Sequence, residues 1–139
     1  MARNKAGLEK VREECVAEGA EDVLMLPHDV GGEEECKLLI EETATHYGRI
    51  DVLVNNAGVL VRSNFPSLTM EEVDHSMQVN LKSAIKLCQA CLPYLKDSLG
   101  SVVNVSSIAG LRASPGALAY KLSKAALDQM TRCVALEVC

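Results

Sequence analysis

No apolar run in this 139-residue chain approaches the roughly 20 residues that a membrane-crossing helix needs. The opening stretch MARNKAGLEKVREE lacks the apolar centre of a secretory signal, so the expected location is cytoplasmic. A basic block is missing too. Lys and Arg number 14 against 19 Asp and Glu, a net charge of -5, which argues against a surface that wraps nucleic acid or clings to an anionic membrane. The expected partner is a small molecule. Internal repeats, linkers and low-complexity segments are also absent, and 48% hydrophobic content over this length suits one domain, residues 1–139, with one core.

A disulfide framework is not expected despite six cysteines, because most of them occupy apolar positions of helical patterns, where small buried hydrophobes sit. Cys88 and Cys91 form a C-x-x-C, but no second pair and no nearby histidine accompany them, and the segment reads as mid-helix. Metal or redox chemistry is therefore disfavoured. His28, His46 and His75 fit solvated or turn roles better than catalysis.

What is present is an alternation of strands and helices. Leu8, Val11 and Cys15 recur at helical spacing over residues 5–18, and Gly19 closes that helix. Val23–Leu26 reads as a buried strand. Cys36, Leu39, Ile40, Thr43 and Tyr47 trace one face of a second helix, with Gly31-Gly32 before it and Gly48 after it. Asp51–Val54 is the next strand. Thr69 and Glu72 form a capping-box signature that opens a helix at Met70, with a break near Asn80 and an end near Lys96. In its second part Leu81, Ile85, Leu87, Cys88 and Leu92 cover more than one stripe, so a partner subunit is expected on one side. Val102–Val105 is a third strand, and a last helix runs from Leu118 to Val138. This order predicts an α/β fold with a parallel sheet covered by helices on both faces.

In such sheets ligands bind at the carboxyl ends of the strands. Three polar clusters fall there: Asp29-Val30, Asn55-Asn56-Ala57-Gly58 and Ser106-Ser107. Taken singly they are ordinary turn and cap residues. The helix that follows carries AYKLSK, in which Tyr120 and Lys124 stand four apart and so share a face. Such an ammonium beside a phenol favours phenolate, which would bring a group that ordinarily titrates near pH 10 into use for proton exchange with a substrate oxygen. Thirteen residues ahead of Tyr120, the Ser107 hydroxyl could hold that oxygen beside the phenol.

DVLVNNAG, the Asn80 of QVNLKS, VVNVSSIAG and YKLSK, in this order and at these spacings, resemble the short-chain dehydrogenase/reductase family over essentially the whole chain. NVSSIAGLRASPGALAY looks most like the 3-oxoacyl carrier-protein reductases. The resemblance implies a doubly wound, Rossmann-type sheet and hydride exchange between NADP(H) and a carbonyl or secondary alcohol. It also implies a dimer or tetramer in the intact family member.

Carried onto this chain, the family's roles make Tyr120 the general acid/base, with Lys124 as its tuner and ribose ligand. Ser107 is the matching catalytic serine, and the Asn80 backbone carbonyl holds a relay water. Asn56, Ala57 and Gly58 match the segment that passes close to the cofactor, and Asp29 and Val30 the pair that meets the adenine. Arg3 matches a basic residue that accommodates the 2′-phosphate, which favours NADP with NAD as the alternative. Ser63, Asn64 and Phe65 fall where the family varies and are candidate substrate contacts or plain loop.

The family's TGxxxGxG turn, which holds the pyrophosphate, is not in the sequence. The strands present match the third, fourth and fifth of a 3-2-1-4-5-6-7 order, so the fold is expected to lack the first two and last two strands, and Val23–Leu26 is expected to have no neighbour. A noncatalytic fragment or pseudoenzyme that pairs with a full-length relative is the alternative function.

Overall fold

The computed structural model describes residues 4–32 and 34–138. Along them run α1 (Lys5–Ala17), α2 (Glu35–Tyr47), β1 (Val52–Asn55), α3 (Met70–Met77), a π-helical turn (Gln78–Lys82), α4 (Ser83–Ser98), β2 (Ser101–Asn104) and α5 (Leu118–Val138), with short 3-10 turns at Phe65–Ser67 and Ile108–Gly110.

The helix ends are set by local chemistry. The Asn4 side chain accepts the Gly7 N–H at 3.1 Å and starts α1. Gly48, at φ 75°, ends α2 in the left-handed region that a side chain disfavours. At α3 the capping box forms in both directions: Thr69 Oγ1 accepts from the Glu72 N–H at 3.3 Å, and Glu72 Oε2 accepts from the Thr69 N–H at 3.1 Å.

β1 and β2 pair in parallel, with Leu53 opposite Val102 and Val54 opposite Val103. Two parallel strands need a long crossover, which α3, the π turn and α4 supply. Leu53 joins Val30, Cys36, Ile40, Ile50, Leu87, Cys88, Cys91 and Leu95 in one core between β1, α2 and α4. On β1, Leu53 and Asn55 point inward while Val52 and Val54 stay about half exposed, the period of a strand covered on one face.

Two features depart from the expected doubly wound sheet. Residues 23–26 form no strand, because no strand lies beside them among the described residues; the Leu24 N–H instead donates to the Tyr47 hydroxyl at 2.8 Å. And helices cover one face of the β1–β2 pair while the Val52 and Val54 face stands open, with α1 burying none of its residues. Both follow from a sheet of only two strands among the described residues.

The break near Asn80 is a π turn, in which the Ser83 N–H reaches back to the Gln78 carbonyl. One extra residue in a turn rotates the faces on either side of it by about 100°. As a result α3 packs on α5 whereas α4 packs on α2. Asn80 sits at the joint, 2% exposed. On α4, Ala84, Leu87, Cys88, Cys91 and Leu95 are buried, and Leu81, Ile85 and Leu92 are half-buried.

Candidate functional site

The carboxyl end of β1 leads through Asn56 and Ala57 to Gly58, where the chain passes against Asn80 and Lys124. A Cβ on Gly58 would stand 3.3 Å from Asn80 Oδ1 and 3.7 Å from Lys124 Nζ. Asn80 Oδ1 cannot retreat, because it accepts the Val59 N–H at 2.7 Å. The Asn80 amide nitrogen donates to the Val59 carbonyl at 2.9 Å and to Ser123 Oγ at 2.9 Å. Ser123 in turn donates to the Tyr120 carbonyl at 2.8 Å. The π turn, the loop after β1 and the first turns of α5 are thus tied at one buried point.

Lys124 is 4% exposed, an unusual place for an ammonium, and its Nζ donates to the Val105 carbonyl at 2.7 Å. The same Nζ lies 5.8 Å from the centroid of the Tyr120 ring, so the charge stands beside the ring. Tyr120 itself is half-buried. Ser107 follows β2 and caps the Ile108–Gly110 turn, its Oγ accepting from the Ala109 N–H at 3.1 Å. That turn packs on α5. Gly110 makes the approach possible: a Cβ there would meet Asp128 Oδ2 at 2.7 Å and the Lys124 carbonyl carbon at 3.0 Å.

Asp29, Val30 and Gly58 line a common cleft of about 450 Å³, with Ala57, Val59 and His75 also on its surface. Asp29 Oδ1 accepts the Gly31 N–H at 3.0 Å, the Asp29 N–H donates to the Glu35 carboxylate, and buried Val30 lends its carbonyl to the Cys36 thiol at 3.4 Å. Gln78 Nε2 donates to the Gly31 carbonyl at 3.1 Å and fixes this loop to the π turn. Asn56 opens on a smaller cavity of about 190 Å³ shared with Asn55 and Asn80. Arg3 lies outside the described residues.

Of the residues singled out from the sequence, Gly58, Asn80, Tyr120 and Lys124 converge, Ser107 sits on a turn packed against their helix, and Asp29, Val30 and Ala57 form the cleft alongside. Val59, Val105, Gly110 and Ser123 were not singled out. Ser123 left a readable trace, since a serine between two motif residues mid-helix has to turn its hydroxyl to a nearby backbone group. The backbone partners Val59 and Val105 leave none. Of the histidines, His46 contacts Asp22 at 2.5 Å, His28 contacts Glu42 at 3.2 Å, and His28 and His75 both line the cleft beside Asp29 and Gly58. Cys36, Cys88 and Cys91 are buried free thiols, and Cys88 Sγ accepts from Asn55 Nδ2 at 3.4 Å. Cys133 is exposed, Cys15 is half-buried and Cys139 lies outside the described residues. No described group of His, Cys, Asp and Glu could hold a metal ion, and no described helix is long and apolar enough to cross a membrane.

The family model described as short chain dehydrogenase matches residues 1–139. The 11-beta-hydroxysteroid dehydrogenase-like 2 of Arabidopsis thaliana is 34% identical over 139 residues, 99% of this chain and 45% of that protein. The 3-oxoacyl-(acyl-carrier-protein) reductase FabG of Thermotoga maritima is 39% identical over 111 residues, 79% of this chain and 45% of that protein. Among solved structures, an alcohol dehydrogenase from the archaeon Thermococcus sibiricus complexed with 5-hydroxy-NADP superposes with a TM-score of 0.92 at 27% identity, covering 99% of this chain and 58% of that one. The chain therefore spans about half the length of the relatives it matches. A match over every residue, with the loop after β1, the Asn80 turn and the Tyr120 helix in their family order, makes this chain a member of the short chain dehydrogenase family.

Proposed function

We propose that the chain carries the substrate-facing part of an oxidoreductase site that exchanges a hydride between NADP(H) and a carbonyl or secondary alcohol. The observation that carries this reading is Lys124, a buried ammonium held between the Val105 carbonyl and Gly58 with its charge beside the Tyr120 ring. A buried cation is costly to desolvate, and such groups cluster at functional sites.

The residues fit the cofactor at its two ends. Asp29, Val30, Ala57 and Gly58 line one cleft, and Gly58 leaves open the space that a Cβ would fill beside Lys124. The bound cofactor would supply or accept the hydride. Tyr120 gives the substrate oxygen its proton during reduction and takes it back during oxidation. Ser107, whose oxygen already accepts from Ala109, has its hydroxyl proton left to donate to that same oxygen and hold it in place. Lys124 holds the ribose, and the Asn80 backbone carbonyl holds a relay water near it. Asn56 lines the passage toward the cofactor. A 2′-phosphate is assigned to Arg3, which favours NADP over NAD, and the 5-hydroxy-NADP in the Thermococcus sibiricus structure supports that choice.

The test is purified chain with NADPH and a panel of ketones, read by loss of NADPH absorbance and, separately, by nucleotide binding. Turnover that falls on substitution of Tyr120 is the expected result. Absence of both turnover and nucleotide binding overturns the reading. The open Val52 and Val54 face favours a second reading, in which the chain acts by pairing with a full-length relative. Co-elution with such a relative would support it, and elution alone would reject it.

A further inference from the structure

A second cleft of about 460 Å³, with Tyr120 in its lining, lies between the loop after β1 and the start of α5. Leu60 and Ile108 give it apolar walls, and Arg62, Arg112 and Lys121 line it beside Tyr120. No acidic side chain lines it, in a chain whose net charge is -5. Lys121 is committed: its ammonium donates to both the carbonyl and the hydroxyl of Ser114, which pins the loop next to Arg112. Arg62 and Arg112 are not. Both are exposed, and neither guanidinium has an ion-pair or hydrogen-bond partner among the described residues.

Two uncommitted guanidinium groups in one cleft suit an anion, because each can present two parallel N–H donors to a carboxylate or phosphate. The apolar walls suit the carbon chain between that anion and the reacting oxygen. We propose that this cleft selects carbonyl substrates bearing an anionic group, a carboxylate or a phosphate, with Arg62 and Arg112 as the residues that determine the preference. The proposal rests on the reading of Tyr120 as the proton-exchanging group, since that places the carbonyl end of the substrate in this cleft.

The probes are two matched pairs of ketones, 4-oxopentanoate with its methyl ester and dihydroxyacetone phosphate with dihydroxyacetone. Each is titrated into the ¹⁵N-labelled chain and followed by amide shifts at Leu60, Ile108 and Tyr120. The charged member of at least one pair is expected to bind about fivefold more tightly, as for two solvent-screened ion pairs. Which pair shows the larger preference distinguishes carboxylate from phosphate. Arg62→Ala with Arg112→Ala should abolish the preference, so that the charged and neutral members of each pair bind alike, and 0.5 M salt should reduce it. Equal affinity within both pairs, binding by neither member, or a preference that survives the double substitution overturns the proposal. Turnover is read in parallel with NADPH. Reduction of neutral and charged ketones at equal efficiency leaves the oxidoreductase reading standing and removes this one, whereas charge-selective binding with neither turnover nor nucleotide binding removes the oxidoreductase reading and leaves the anion preference of the cleft.

Discussion

Asn80 pairs with Val59 as one strand residue pairs with another: its amide oxygen accepts the Val59 N–H at 2.7 Å and its amide nitrogen donates to the Val59 carbonyl at 2.9 Å. A side chain that imitates a peptide group fixes a loop that no sheet holds. Because Asn80 also donates to Ser123, the π turn fastens both the Gly58 loop and the base of the Tyr120 helix.

Replacing Asn80 with Ala would leave the half-buried Val59 N–H and carbonyl without their partner. Each such orphan costs about 1–3 kcal/mol, so a loss of about 3 kcal/mol is expected in denaturant unfolding. Asn80→Asp keeps the acceptor but loses the donor and buries a carboxylate, so it should not restore stability at neutral pH. Recovery by Asn80→Asp would show that the donor side of this pairing does not matter.

Two neighbours after α4 should respond in opposite directions. Leu99 is the one described non-glycine residue at positive φ, 54°, and is 94% exposed, so Leu99→Gly removes left-handed strain and is expected to stabilise by about 1 kcal/mol. Gly100 follows it in the turn into β2. A Cβ at Gly100 would stand 2.3 Å from the Asp51 carbonyl oxygen and 2.8 Å from Ser98 Oγ. Gly100→Ala must therefore displace β2 from β1 and lower the melting temperature by several degrees.

Burial pushes the Cys91 thiol from its ordinary 9.0 up to about 11, and raises Cys36 and Cys88 by the same cause. For a group whose folded value is raised, the associated stability is complete below the ordinary value and is lost as pH climbs through the folded one. Unfolding free energy is thus expected to fall between about pH 9 and pH 11, beyond any decline shown by a Cys91→Ala chain. At neutral pH a thiol reagent should modify Cys133 at once and reach Cys36, Cys88 and Cys91 only as fast as the chain opens. Rapid modification of all three in the folded chain would contradict their burial.

Features written in local chemistry were legible in the sequence. The Thr69 and Glu72 cap, the Gly48 stop and the span of α5 each depend on residues within one or two helical turns of one another. Asn80 was legible as a break, though not as a π turn, because what the extra residue does is let α3 face α5 and α4 face α2. Val23–Leu26 has the composition of a strand, yet a strand exists only where a neighbour accepts its hydrogen bonds, and here the Leu24 N–H turns to Tyr47. Leu99 in the left-handed region could not be foreseen, since leucine gives no hint of it. Within the candidate site, the four-residue spacing of Tyr120 and Lys124 announced a shared face. That the Lys124 ammonium would donate to Val105, nineteen residues away, depends on the packing of the Ile108–Gly110 turn against α5 and has no local signature.

The most direct measurement is NADPH-dependent ketone reduction by the chain and by Tyr120→Phe, with melting temperatures confirming that both are equally folded. Loss of the proton-exchanging hydroxyl is predicted to lower the turnover rate at least about a hundredfold while leaving ketone binding in place. Equal turnover by the two chains would contradict the role given to Tyr120, and with it the reading of Lys124 as the cation that serves it.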